Sequence, residues 1–133
     1  MNYLLDTHVW IWSQENPERL GREARRRLAN PDEQRFVSPI STFEIARLLY
    51  LGLLHLKHPF AEWRTLSLGH LHAATTPLTH EIAAEAYSLP AHFHKDPIDR
   101  VLVATARLER LTLVTADDLI LRYPHVKTLR ASA

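Results

Sequence analysis

Four places in the chain carry acids where a helix is about to begin: Asp6, Glu44, Asp96 with Asp99, and Asp117 with Asp118. Carboxylates at such places have two uses. Each serves locally as a cap. Asp6 and Asp117 can accept hydrogen bonds from orphan backbone N–H groups, and Ser41-x-x-Glu44 reads as a capping box. Asp96-Pro97 sets a cap ahead of a proline at the first helical position, with Asp99 in the first turn. The joint use is chemical. If the strands ahead of these helices run parallel, their carboxyl ends share the sheet edge where open α/β proteins bind ligands. Acids gathered there repel one another until a cation neutralises them. Ligation by oxygen alone selects a hard ion, Mg2+ or Mn2+. Such an ion activates water and stabilises charge on a leaving oxygen, which suits hydrolysis of a phosphodiester.

The elements that must position the acids are written in the apolar pattern. Asn2–Leu5 is a short run stopped by Asp6, which predicts a buried strand, with a helix over His8–Trp12. In residues 18–29, Leu20, Ala24 and Leu28 recur at four-residue spacing, with Arg22, Arg25, Arg26 and Arg27 on the other faces, which predicts an amphipathic helix. Asn30-Pro31-Asp32 is a turn, and Arg35–Ser38 a strand. A strong helix follows from Ser41 to about Leu51, closed by Gly52. Residues 53–58 read as turn or extended chain. Phe60–Leu66 predicts a short helix, Leu71–Thr75 a weakly patterned strand, and Thr79 caps a helix to about Leu89. Pro90–Lys95 is a polar, histidine-bearing loop. The helix signal is clearest over Arg100–Arg110, opened by Asp96-Pro97-Ile98-Asp99. Leu111–Thr115 is a strand, Asp117-Asp118 opens a short helix, and Val126–Leu129 is a last strand. Short apolar strands alternating with helices imply parallel βαβ units. No repeat, low-complexity stretch or linker divides residues 1–133, so one domain is expected.

Composition bounds the function classes. With 133 residues, 46% hydrophobic and 23% charged, the chain can bury an ordinary core. A formal charge of +1 gives no global field for nucleic acid or membrane, so any attraction to phosphate must be local. The absence of cysteine excludes disulfides and thiolate metal sites. No signal peptide is evident, and no run approaches the roughly 20 apolar residues that cross a bilayer. A cytoplasmic protein is expected.

Four pieces of the sequence resemble the PIN-domain ribonucleases, and among them the VapC toxins of bacterial toxin–antitoxin pairs. They are Leu4-Leu5-Asp6-Thr7-His8, Ser41-x-x-Glu44-Ile45, His94-Lys95-Asp96-Pro97-Ile98-Asp99-Arg100-Val101-Leu102-Val103-Ala104, and Leu113-Val114-Thr115-Ala116-Asp117. They occur in family order and span almost the whole chain. By position, Asp6, Glu44, Asp99 and Asp117 match the family's acidic quartet. Asp99 fits better than Asp96, because Arg100 to Ala104 sets the register, and Asp96 is then a supporting acid. Thr7 and Thr115 match positions that support the site through hydroxyls. The resemblance implies a three-layer α/β/α sandwich with a central parallel sheet of four to five short strands. It also implies RNA cleavage dependent on Mg2+ or Mn2+, a homodimer and a cognate antitoxin.

Other residues have plainer readings beside functional ones. His92-x-His94 next to Asp96 has transition-metal ligand types, and the plainer reading is a polar loop near the site. His8 is expected either at the pocket or in helix packing. Arg25-Arg26-Arg27 is a solvated helix face or an RNA phosphate contact. Arg100 contacts phosphate or pairs with an acid. Trp10, Trp12, Phe43, Leu48, Leu49 and Leu51 are assigned to the core, with a dimer or antitoxin surface as the alternative.

The expectation is a metal-dependent endoribonuclease in which Asp6, Glu44, Asp99 and Asp117 hold the ion, and RNA is hydrolysed without a covalent enzyme intermediate. Two alternatives stand. One is a phosphatase with Asp6 as nucleophile; such enzymes resemble Asp-x-Asp, and His8 breaks that pattern. The other is a non-catalytic RNA- or protein-binding module, for which a crowded acidic quartet has no use.

Overall fold

Tyr3, Leu4 and Leu5 are all fully buried. A strand achieves this only when both of its faces are covered and neighbours flank both edges. The computed structural model describes Met1–Ala133 and shows that arrangement. Five parallel strands form one sheet in the order β3-β2-β1-β4-β5. They are β1 (Asn2–Leu5), β2 (Gln34–Val37), β3 (Ala73–Thr75), β4 (Thr112–Thr115) and β5 (Thr128–Arg130). Leu4 sits opposite Phe36 on one side and Leu113 on the other.

Seven α-helices cover the sheet: α1 (Thr7–Glu15), α2 (Arg22–Leu28), α3 (Pro39–Tyr50), α4 (Phe60–Leu71), α5 (His80–Glu85), α6 (Pro97–Leu108) and α7 (Asp118–Leu121). The side-chain period of two along each strand divides the apolar residues between two cores. Leu4 and Leu113 pack with Ile82, Leu102, Val103 and Ile120 on one face. Tyr3, Leu5, Val37 and Val114 pack with Val9, Trp10, Ile45 and Trp63 on the other. The three-layer α/β/α sandwich expected from the sequence is therefore the fold.

Several local expectations differ. The segment 18–29 is not one helix: a 3₁₀ turn (Pro17–Arg19) precedes α2, which starts after Gly21. Gly21 N–H donates to the Ala131 carbonyl at 2.8 Å, and a Cβ at Gly21 would stand 2.8 Å from the Ser132 oxygen. That close approach of the C-terminal chain sets where the helix begins. The Ser41-x-x-Glu44 capping box is not formed. The cap of α3 is Ser38, whose hydroxyl accepts from Ile40 N–H, and Pro39 takes the first helical position. Gly52, at φ +71°, does close α3: its N–H donates to Leu49 and that of Leu53 to Leu48, a Schellman motif. Helix α4 runs on to Leu71, shortening the strand after it, and α5 ends at Glu85 rather than near Leu89. The last strand is shifted to Thr128–Arg130.

The core assignment holds for Trp10, and Trp12 and Leu49 pack half-buried against the same core. It fails for Phe43 and Leu51, which are 62% and 47% exposed. Residues of α3 that point away from the sheet have no second layer above them. The triple-arginine run is engaged on the surface. Arg26 and Arg27 pair with Glu23, Arg27 also donates to the Tyr3 hydroxyl, and Arg25 donates to the Leu20 carbonyl.

Candidate metal centre

The strand order reverses direction at β1, since the chain goes from β1 toward β2 on one side and toward β4 on the other. Such a switch point opens a crevice at the carboxyl ends of the strands. Asp6 follows β1 there, and Asp117 follows β4. The N-terminus of α6 reaches the same edge with Asp96 and Asp99, and Glu44 joins them from the second turn of α3. Asp6, Glu44, Asp96, Asp99 and Asp117 line one cavity of about 240 Å³ together with Thr7, His8, Ile11 and Leu48. Asp118, one residue beyond, is exposed and faces Arg130 at 3.4 Å instead.

Each acid is held by a defined contact. Asp6 is 3% exposed. Its Oδ1 accepts from Thr7 N–H at 2.8 Å, and its Oδ2 from the Thr115 hydroxyl at 2.6 Å. The Thr115 Oγ1 in turn accepts from Asp117 N–H at 3.0 Å. One hydroxyl thus ties the ends of β1 and β4 together. Asp117 Oδ1 caps α7 through Leu119 N–H, and Asp96 Oδ1 caps α6 through Asp99 N–H. His8 accepts from Ala116 N–H at Nε2, which leaves the proton on Nδ1, 3.5 Å from Asp6 Oδ2. The Thr7 hydroxyl lies between Ser41 Oγ, at 2.9 Å, and the Glu44 carboxylate; its single proton serves one of them at a time.

The electrostatics are those of crowded anions. No lysine or arginine pairs with any of the five carboxylates. Burial pushes the Asp99 carboxyl up to about 8, and Asp6, Asp96, Asp117 and Glu44 push it the same way. Burial also raises Asp6, against the pull of His8 and the Thr115 hydroxyl, and it raises Glu44, with Asp6 and Asp96 adding to the rise. Ionising several such groups in one crevice needs a counter-charge. The donor set is rich in carboxylate oxygen, so a small divalent cation fits it.

Asp6, Asp96 and Asp117 are both caps and members of the converging set, whereas Glu44 and Asp99 reach the cavity without capping a helix. The sequence-based set Asp6, Glu44, Asp99 and Asp117 is brought together, with Asp96 on the rim. Thr115 and Thr7 support the site by the bonds described. Arg100 does not pair with an acid. Its guanidinium donates to the carbonyls of Ala86, Phe93 and His94 at 2.7–3.0 Å, and so fixes the loop before α6. His94 is closer to the acids than expected. One ligand atom each from His94, Asp99 and Asp117 lie within 4.8 Å of one another. The sequence marked His94 as a possible metal ligand beside Asp96, with a polar loop as the plainer reading, because a histidine in such a loop has many other uses. His92 stays exposed.

A family model for the PIN domain matches residues 3–126. The chain belongs to the PIN-domain family. This PIN domain is 36% identical over 122 residues to Ribonuclease VapC22 of Mycobacterium tuberculosis, covering 92% of each chain. Its fold is similar to a chain in the crystal structure of VapBC2 from Rickettsia felis bound to a promoter DNA fragment. The TM-score is 0.71 at 16% identity, with 99% of this chain and all of that chain covered. It is also similar to a chain of DNA-bound VapBC from Salmonella typhimurium, with a TM-score of 0.64 at 18% identity and 97% of each chain covered. No helix of the PIN domain is long and apolar enough to cross a membrane.

Proposed function

We propose that this PIN domain is a metal-dependent endoribonuclease, the toxin of a toxin–antitoxin pair. The observation that carries the reading is the convergence of Asp6, Glu44, Asp99 and Asp117 on one cavity with no lysine or arginine to pair them. The ribonuclease name of the M. tuberculosis relative supports the activity. Asp6, Asp99, Asp117 and Glu44 would hold Mg2+ or Mn2+ directly or through water. Bound there, the ion supplies an activated water and stabilises charge on the leaving oxygen of an RNA phosphodiester.

The chain's own residues do the positioning. Thr115 and Thr7 N–H fix both oxygens of Asp6, so its carboxylate cannot rotate when the ion comes or goes. The Asp117 and Asp96 caps hold the starts of α7 and α6 at the rim. Five acids repel a phosphate backbone, and a divalent ion bound among them lowers that repulsion and offers the phosphate a cation, which ties RNA binding to metal loading.

The exposed apolar residues Phe43, Tyr50, Leu51 and Leu53 lie on or just after α3, and they support a protein-binding face. A cognate antitoxin or a second copy of the chain is the partner proposed for it. Toxin–antitoxin complexes among the structural neighbours support the antitoxin.

The test is cleavage of a mixed RNA substrate by the purified protein with Mg2+ or Mn2+. Wild type should cleave, and chelator should stop it. Asp6→Asn and Asp99→Asn should both be inactive while remaining folded. Cleavage by either variant at the wild-type rate overturns the reading.

A further inference from the structure

We propose that His94 is a nitrogen ligand of the divalent ion, and that it tilts the site toward Mn2+ over Mg2+. The inference rests on the metal-centre reading above and goes beyond the oxygen-only set that the acids define.

The first ground is position. His94 Nε2 stands 3.2 Å from Asp99 Oδ2, about the spacing of two adjacent ligands on an ion with bonds of roughly 2.1–2.2 Å. The set of His94, Asp99 and Asp117 ligand atoms within 4.8 Å includes neither Asp6 nor Glu44. His94 therefore faces the ion position from the β4 side of the pocket. The second ground is that this nitrogen is idle. It is inaccessible to solvent, yet despite its closeness to Asp99 it lies off the hydrogen-bonding direction and has no partner. A buried polar atom without a partner costs about 1–3 kcal/mol. An ion at Asp99 and Asp117 would give it one.

The third ground is rigidity. The ring of His94 packs on Phe93, with centroids 4.4 Å apart. The carbonyls of both residues accept from Arg100. Metal ligands are commonly held by such supporting contacts. The Nδ1 atom accepts from Asp96 N–H at 3.5 Å, the outer limit of a hydrogen bond. Ligation through Nε2 moves the ring proton to Nδ1 and gives up that weak contact, which makes the tautomer a marker of ligation. Chemistry sets the preference. Imidazole suits transition metals, whereas Mg2+ takes oxygen and keeps its waters.

Calorimetry of Mn2+ and Mg2+ binding to wild type, His94→Asn and Asp99→Asn tests this, with thermal melts to confirm folding. His94→Asn should weaken Mn2+ by about tenfold or more and Mg2+ by less than about threefold. Pulsed electron spin resonance of Mn2+ on wild type with 15N-labelled histidine should show nitrogen coupling. That second readout needs no variant to fold. Unchanged Mn2+ affinity in folded His94→Asn, or no nitrogen coupling in wild type, overturns the role of His94. If that occurs while Asp99→Asn abolishes Mn2+ binding, the metal centre stands without His94. If wild type takes up no Mn2+, both readings fall together.

Discussion

Removing one charge from the acidic pocket should make the metal-free protein more stable. Asp99 is the place to test it. Its carboxyl moves from an ordinary value of 3.8 to about 8, chiefly through burial and then through Asp6, Asp96, Asp117 and Glu44. A carboxyl that is harder to ionise folded than unfolded binds its proton more tightly in the folded state. Its contribution is present below about pH 4 and lost as pH rises to about 8. A shift of about four units corresponds to a ceiling near 6 kcal/mol. The pocket opens to solvent, and its neighbouring acids titrate together with Asp99, so this falls to about 1–3 kcal/mol. Asp99→Asn has no charge to remove. At pH 8 in chelator it should melt about 4–12 °C above wild type. The gap should shrink toward zero near pH 4 and narrow in high salt, because salt screens the repulsion. Saturating Mn2+ should reverse the order, since it stabilises only the chain that binds it. Scanning calorimetry across pH 4–8 measures all of this. A variant no more stable than wild type at pH 8, or an advantage that does not depend on pH, refutes the reasoning.

Thr115→Val removes the hydroxyl shared by Asp6 and Asp117 N–H and should cost about 1–3 kcal/mol in urea denaturation. It should also weaken Mn2+ binding, read by calorimetry. Arg100→Ala strips three carbonyls of their donor and should cost about 2–4 kcal/mol, with faster proteolysis in the Leu89–Lys95 loop. Arg110 closes α6 in the left-handed region at φ +58°, so Arg110→Gly should raise stability by about 0.5–1 kcal/mol in the same denaturation assay.

The fold was legible where one local signal agreed with the burial it had to satisfy. Leu4-Leu5 and Leu113-Val114 are apolar on both faces because helices cover both, and Asp96-Pro97 starts a helix because cap and proline ask for the same backbone. Ser41 and Glu44 misled for the opposite reason. Ser38-Pro39 is an equally good start three residues earlier, and spacing alone does not choose between them. Asp6, Asp99 and Asp117 were found because each follows a strand or opens a helix whose direction the parallel sheet fixes, whereas Glu44 lies inside α3 and was marked by a capping box that does not form. Arg100 and His94 were named as candidates, but their contacts could not be read, since their partners depend on how a loop folds back. The carbonyl of Ala86 lies 14 residues from Arg100, and Asp99 Oδ2 is reached by a loop side chain with no periodic signal. Phe43 shows the limit of apolarity as a guide: a helix with two apolar faces can bury only the one that meets the sheet.

The sheet order has a consequence for synthesis. β1 is made before β2 and β3, and β4 after them, yet β1 and β4 lie side by side and are bolted by Thr115. A ribosome-bound chain that stops short of β4 therefore cannot draw Asp117 up to Asp6. Whatever chemistry the crevice performs is withheld from the nascent chain until β4 and Asp117 have been made and have left the ribosome.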